Sequence, residues 1–129
     1  MTGEQLLKEA EGLKDQLVEN RRYLHTHAET GFGLNDTKAF VKEKLIEMGY
    51  EPEDCGKAGL TVLAGKKPGK VFLLRADMDA LPIREEADVN FQCENGNMHA
   101  CGHDMHTTML LGAAKLLKEH EDEIEGTVK

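Results

Sequence analysis

The run Val71-Phe72-Leu73-Leu74 constrains the fold more than any other stretch of this 129-residue chain. Four consecutive apolar residues are too short for a buried helix and lack the alternation of a half-exposed strand. They predict a central strand covered on both faces. Such a strand needs helices above and below it, and the flanking sequence supplies them. Leu6, Leu7, Ala10, Leu13, Leu17 and Leu24 recur at helical steps and predict one amphipathic helix, weakened at Gly12. Thr37, Phe40, Val41, Leu45 and Met48 form the stripe of a second, with Asn35 or Asp36 as N-cap and Gly49 as its stop. Thr107 to Leu117 predicts a third, turning Met109, Leu110, Ala113, Leu116 and Leu117 inward, with Gly126 where a C-cap is expected.

The remaining strands are shorter. Tyr50-Glu51-Pro52 can form only an edge, because proline has no N–H for a ladder. Thr61 to Ala64 and Val71 to Ala76 flank the turn-forming Gly65-Lys66-Lys67-Pro68-Gly69-Lys70 and are expected to pair as a hairpin. Residues 83 to 98 have no period and read as a long loop, a kind that is often functional. Thr127-Val128-Lys129 opens another strand. Helices interleaved with strands make this a layered α/β domain with a mixed sheet, in one unit without repeat or linker.

Composition narrows the function. Sixteen basic against 24 acidic residues give a net charge of −8, which disfavours nucleic acid and anionic membranes as partners. Only 5% of residues are aromatic and none is Trp, so a base-stacking surface is not expected. Three cysteines do not make a disulfide framework. Met1 to Gln5 shows neither a basic nor an apolar leader pattern, and a cytoplasmic location is the expectation.

Chemistry concentrates in Met98-His99-Ala100-Cys101-Gly102-His103-Asp104-Met105-His106. Imidazole and thiolate are the donors that zinc and its neighbours prefer. The cluster lies at the start of the third helix, where the dipole favours a negatively charged ligand atom. Asp104 is either a carboxylate near the metal or the helix N-cap. A zinc finger is excluded, since no second Cys/His pair stands at finger spacing. Surface histidines beside a buried thiol would be the plainer explanation of an isolated Cys-x-His, but four candidate donors in eight positions favour a metal. Asp77 and Asp79 form a second constellation at the carboxyl end of the predicted central strand, where α/β sheets build sites. They serve either a ligand or a turn. A third, His25-x-His27 with Glu29, is weaker because no regular element fixes it. Cys101 as a nucleophile is weaker than Cys101 as a ligand, since no oxyanion-hole element is visible.

Taken together, Arg22-Tyr23-Leu24-His25, Glu29-Thr30-Gly31-Phe32, Arg75-Ala76-Asp77-Met78-Asp79-Ala80-Leu81-Pro82, Met98-His99-Ala100-Cys101-Gly102-His103-Asp104 and Leu110-Leu111-Gly112-Ala113-Ala114 resemble one family. It is the amidohydrolase branch of the aminoacylase/carboxypeptidase metallopeptidases, including hippurate hydrolases and N-acyl-amino-acid amidohydrolases. The resemblance implies a layered α/β/α zinc-peptidase-like catalytic domain, of which residues 1–129 would be the N-terminal part, cut short after the third helix and without the lid domain. It implies that Cys101 and His103 are ligands of a site for two divalent metals (manganese, zinc, nickel or cobalt), and that Asp79 is the catalytic aspartate beside it. Asp77 stands where the wider family has a ligand histidine, and His99 and His106 are neighbours and further candidate ligands. The family's Glu-Glu pair and further ligand histidines have no counterpart in these residues. The complete enzyme would hydrolyse a small-molecule N-acyl amino acid, and a homo-oligomer is compatible with the exposed sheet edge expected. The alternative is a non-catalytic metal-binding or partner-binding module.

Overall fold

A computed structural model describes residues 1–129. Helix α1 (Gly3–Gly12) opens with a reciprocal cap, in which the Gln5 N–H donates to Thr2 Oγ1 at 3.2 Å and the Thr2 N–H to Gln5 Oε1 at 2.9 Å. The single first helix expected from the apolar spacing is two. At Leu13 (φ −86°, ψ −3°) the backbone leaves helical geometry, and its N–H donates three residues back, to the Ala10 carbonyl at 3.0 Å. Gly12 is the residue that makes that break inexpensive. Helix α2 (Lys14–Thr26) follows at once and buries Asn20, Leu24 and His25.

Helix α3 (Asn35–Glu47) buries Thr37, Val41 and Leu45 of the expected stripe and ends at Gly49, whose φ of +94° suits glycine. Its N-cap is Leu34, not Asn35 or Asp36, and no capping side chain comes from that position. Glu29 does the work from outside the helix, accepting from the Thr37 N–H at 2.6 Å and the Asp36 N–H at 3.2 Å.

The strands are short and depart most from expectation. β1 (Glu53–Cys55), just after the predicted Tyr50–Pro52 edge, pairs antiparallel with β2 (Gly59–Thr61). β3 (Lys70–Phe72) does not form a hairpin with the segment before it. It runs parallel to β4 (Gly126–Val128), and Val128 also bridges antiparallel to Ala64. Residue 128 therefore lies between the two segments expected to pair, exchanging bonds of 2.9 and 2.8 Å with Ala64. The sheet is mixed across this line, as a layered α/β domain requires. Gly126 is a strand residue and not a helix cap. A Cβ there would come within 2.2 Å of the Lys70 carbonyl oxygen, and its φ is +132°. Only glycine admits so close an approach.

Helix α4 (His103–Glu119) packs against α1, α2 and α3 and ends at His120. Its buried face is Asp104, Thr107, Thr108, Leu111, Gly112 and Ala114, rotated from the expected one, and Met109 is exposed. Two threonines can face inward because their hydroxyls donate at 2.7 Å to the carbonyls of Asp77 and Asp104. The core joins Leu24, Val41, Leu45, Tyr50, Ala64, Leu111 and Ala114. Val71, Phe72, Leu73 and Leu74 are not in it, with exposures of 70%, 60%, 71% and 46%. The strand is central by composition but covered on neither face as expected, because no helix of these residues lies across it. With Leu60, Val62 and Leu117 it borders an apolar depression of about 870 Å³.

Tyr50 donates to the Ala114 carbonyl at 2.7 Å inside this core. Burial, aided by the Glu121 charge, pushes its phenol up to about 12. Tyr50→Phe should cost about 1 kcal/mol of stability in urea titration, the net worth of one buried hydrogen bond. Because the neutral phenol is the folded form, its contribution is complete below the unfolded value of about 10 and is lost as pH rises from there through 12. The wild type should therefore lose stability over that window by more than the variant does.

Candidate metal centre

Beyond β3 the chain leaves the sheet through Arg75-Ala76-Asp77-Met78-Asp79, the carboxyl-end position that the sequence marked. The Thr107 hydroxyl of α4 holds the Asp77 carbonyl, so the first turns of the helix and this strand end are fastened together. His103, the first residue of α4, reaches back over both aspartates. Its Nδ1 lies 2.8 Å from the Asp79 carbonyl oxygen and 3.0 Å from Asp79 Oδ1. A carbonyl oxygen only accepts, so Nδ1 carries a proton, and in the tautomer with that proton alone Nε2 presents a bare lone pair. Nε2 faces Asp77 Oδ2 at 3.5 Å, and the other Asp77 oxygen is paired with Arg75.

That separation is long for a hydrogen bond. It matches the roughly 3.4 Å between two ligands of a tetrahedral ion bonded at about 2.1 Å. A ring whose second nitrogen donates to a carbonyl or carboxylate is the usual support of a metal-bound histidine. Cys101 is exposed and lies one residue before Gly102, which at φ +111° turns the chain into α4. Imidazole, carboxylate and thiol are a donor set that fits a divalent transition metal. They are not a complete cage, since no three His, Cys, Asp or Glu side chains converge to enclose an ion. Of the sequence candidates, then, the fold joins Asp77, Asp79 and His103 directly and leaves Cys101 at the same helix start.

The other histidines separate into different surroundings. His106 is exposed and stacks on His103, centroid to centroid 5.7 Å. His99 is 5% exposed and neither of its ring nitrogens has a partner. Burial pushes its imidazole down against the attraction of Asp104, which favours the uncharged ring. The His25, His27 and Glu29 constellation does not assemble. Glu29 caps α3, and His27 stacks on Tyr23 at 4.0 Å with its Nδ1 donating to the Tyr23 carbonyl.

His25 instead joins a buried network that sequence reasoning missed. Its Nδ1 meets Asp104 Oδ2 at 2.8 Å and its Nε2 meets Glu85 Oε1 at 2.7 Å. Arg21 Nε donates to the same Asp104 oxygen at 2.8 Å. Burial works against ionisation of Asp104, but the His25 and Arg21 hydrogen bonds outweigh it and hold the carboxyl below its ordinary range. Glu85 is likewise opposed by burial and held down by the Cys93 N–H and His25. The long loop is thereby latched to α2. Glu85 Oε2 accepts from the Cys93 N–H at 2.6 Å, Asn95 donates to the Ala28 carbonyl at 2.8 Å, and Phe91 sits under Arg21 and Arg22. Its ends are joined by Leu81 and Met98, which exchange two bonds of 3.0 Å.

The sequence profile described as peptidase family M20/M25/M40 matches residues 73–129. Over its whole length the chain is 42% identical to an N-acyl-L-amino acid amidohydrolase of Geobacillus stearothermophilus, of which it covers 36%. It is 44% identical over 95% of its length to the IAA-amino acid hydrolase ILR1-like 5 of Arabidopsis thaliana, covering 28% of that protein. Among solved structures, the Bacillus subtilis YXEP protein, described as a dinuclear metal-binding peptidase of the M20 family, superposes with a TM-score of 0.86. The two are 38% identical over 92% of this chain and 34% of that one. A structure from methicillin-resistant Staphylococcus aureus gives a TM-score of 0.94 at 38% identity, over 98% of this chain and 35% of the other. The chain thus spans about a third of the length of the relatives it matches.

The latch makes the three thiols unequal. Cys55 and Cys101 are exposed, whereas Cys93 is buried with its Sγ donating to Asn95 Oδ1 at 3.0 Å. Under native conditions iodoacetamide should modify Cys55 and Cys101 rapidly and Cys93 slowly, as read by peptide mass spectrometry. Glu85→Ala should expose Cys93 to the same reagent. Equal rates at all three in the wild type would contradict a closed loop.

Proposed function

Since the chain belongs to the M20 peptidase family, we propose that it forms the N-terminal part of a metal-dependent amidohydrolase acting on N-acyl amino acids. The observation that carries this reading is His103, fixed from behind by Asp79 and offering Nε2 toward Asp77 at 3.5 Å. His103 and Cys101 are the ligands assigned here, with Asp77 close enough to join them. Asp79 is the catalytic aspartate: it sets the tautomer of His103 and keeps a half-exposed carboxylate beside the seat. Two divalent ions, of manganese, zinc, nickel or cobalt, would polarise the amide carbonyl and lower the pKa of a bound water. His103 can offer Nε2 to a metal only while its proton stays on Nδ1, hydrogen-bonded to Asp79, so this hydrogen bond is part of the site. The general base and the remaining ligands that the family resemblance implies have no counterpart in these residues and would come from regions matching the two-thirds of the relatives that this chain does not span.

The bare apolar strand favours a second reading, a non-catalytic module that binds metal and docks another polypeptide along Val71 to Leu74. Both readings predict metal binding, and activity separates them only in a longer protein. The 129-residue chain alone should turn over neither N-acetyl amino acids nor hippurate. Chelator-sensitive hydrolysis by the purified chain would contradict the missing base and ligands. Cobalt(II) should produce a thiolate charge-transfer absorption that Cys101→Ala abolishes and Cys55→Ala leaves intact. Retention of that absorption in Cys101→Ala would remove Cys101 from the ligand set.

A further inference from the structure

His25 is 3% exposed and does not touch the Asp77–His103 seat, yet it is bonded to both pieces of chain that build it. On one side, Asp104 is the second residue of α4 and follows His103 directly. Its Oδ2 is held by His25 and Arg21, while its Oδ1 accepts from the Met105 N–H at 2.9 Å. Both carboxylate oxygens are thus committed, and the first turn of α4 has little freedom to rotate. On the other side, Glu85 anchors the loop whose ends, Leu81 and Met98, lie just beyond Asp79 and just before Cys101. The Ala80 N–H, one residue past Asp79, donates at 2.7 Å to the carbonyl of Glu29, just beyond the end of α2.

We propose that His25, bridging Glu85 and Asp104, is a positioning residue that fixes the direction of His103 and Cys101 relative to Asp77 and Asp79. The proposal rests on the metal reading of that seat. Stability alone is a poor explanation for the arrangement. Removing two carboxylates and an imidazole from water is costly, and apolar side chains of the same volume often stabilise a fold as well or better. What the bridge adds is angular definition. The imidazole is flat, bonded at both nitrogens, and locked edge-on to Phe91 at 5.5 Å between centroids. Groups bonded directly to a ligand alter metal affinity about 10- to 100-fold when removed, and His25, acting through Asp104 beside His103, belongs at the lower end of that range.

The test is cobalt(II) titration of the full chain, followed by the thiolate charge-transfer band, with folding checked by circular dichroism. His25→Phe keeps a ring against Phe91 and deletes both hydrogen bonds. It should weaken binding by about 10-fold while the helical spectrum persists. Glu85→Gln, which retains shape and an acceptor for the Cys93 N–H, should weaken it in the same direction by less. Tyr50→Phe lowers stability through a different bond to α4, far along the helix from His103, and should leave the affinity unchanged. Wild-type affinity in a folded His25→Phe overturns the proposal. So does an equal loss in Tyr50→Phe, which would make the effect one of general stability. Should His25→Phe fail to fold, Glu85→Gln decides by the same two criteria. A wild type that gives no band at all strikes the metal reading itself, and the positioning role with it.

Discussion

The carboxylate of Asp104, 1% exposed, is the interaction on which this arrangement depends. A buried charge without partners would cost several kcal/mol, so its position dictates where Arg21 and His25 must be. Those two residues stand one helical turn apart on α2, on the same face, and together they present two N–H groups to one oxygen. The pairing fixes α2 against the first turn of α4. His25 then has one nitrogen left, and Glu85 takes it, so the long loop inherits its place from the same carboxylate. Helix contact, loop closure and the direction of His103 follow in that order from one residue.

Much of this was legible in the sequence where the determining contacts are local. The α3 stripe of Thr37, Val41 and Leu45 and the stop at Gly49 follow from residues a few positions apart. The start of α4 was legible only to within about a turn, because the helix begins at His103 rather than Thr107, with Gly102 as its N-cap and Asp104 inside it. Non-local contacts were not legible. Val128 displaces the expected hairpin because a parallel partner from far along the chain fits between Ala64 and Phe72. Glu29, considered as a ligand, is a cap supplied from outside its helix. The rotated face of α4 depends on acceptors for Thr107 and Thr108 that only the folded chain provides. At the site, Asp77 and Asp79 both lie beside the His103 ring, a contact between distant segments that their two-residue spacing alone does not specify. Nothing about Glu85 in sequence marks it as the partner of His25, sixty residues earlier.

The apolar run Val71 to Leu74 forms a strand over part of its length, as expected, but not an enclosed one. Val71 to Leu74 have the composition of a strand enclosed on both faces and the exposure of one that is not. Their neighbours on one edge, Gly126 to Val128, are in place. Composition records the surroundings that a segment is built for, whereas solvent exposure records those that these 129 residues supply.

The insertion of β4 between Ala64 and Phe72 also sets an order of events in time. The segment around Ala64 and strand β3 share no ladder of their own, and each waits for Val128 to bring them together. Closing that long loop is entropically slow compared with forming the helices. During synthesis from the N-terminus, α1, α2 and α3 can pair while β3 remains without a partner. The sheet then forms in one late step, once the tripeptide Gly126-Thr127-Val128 has emerged and threads into a slot that it alone completes. Until that moment both edges of the most apolar segment are free, and afterwards one still is, so the interval is the period in which chaperones or faulty self-association compete for it most strongly.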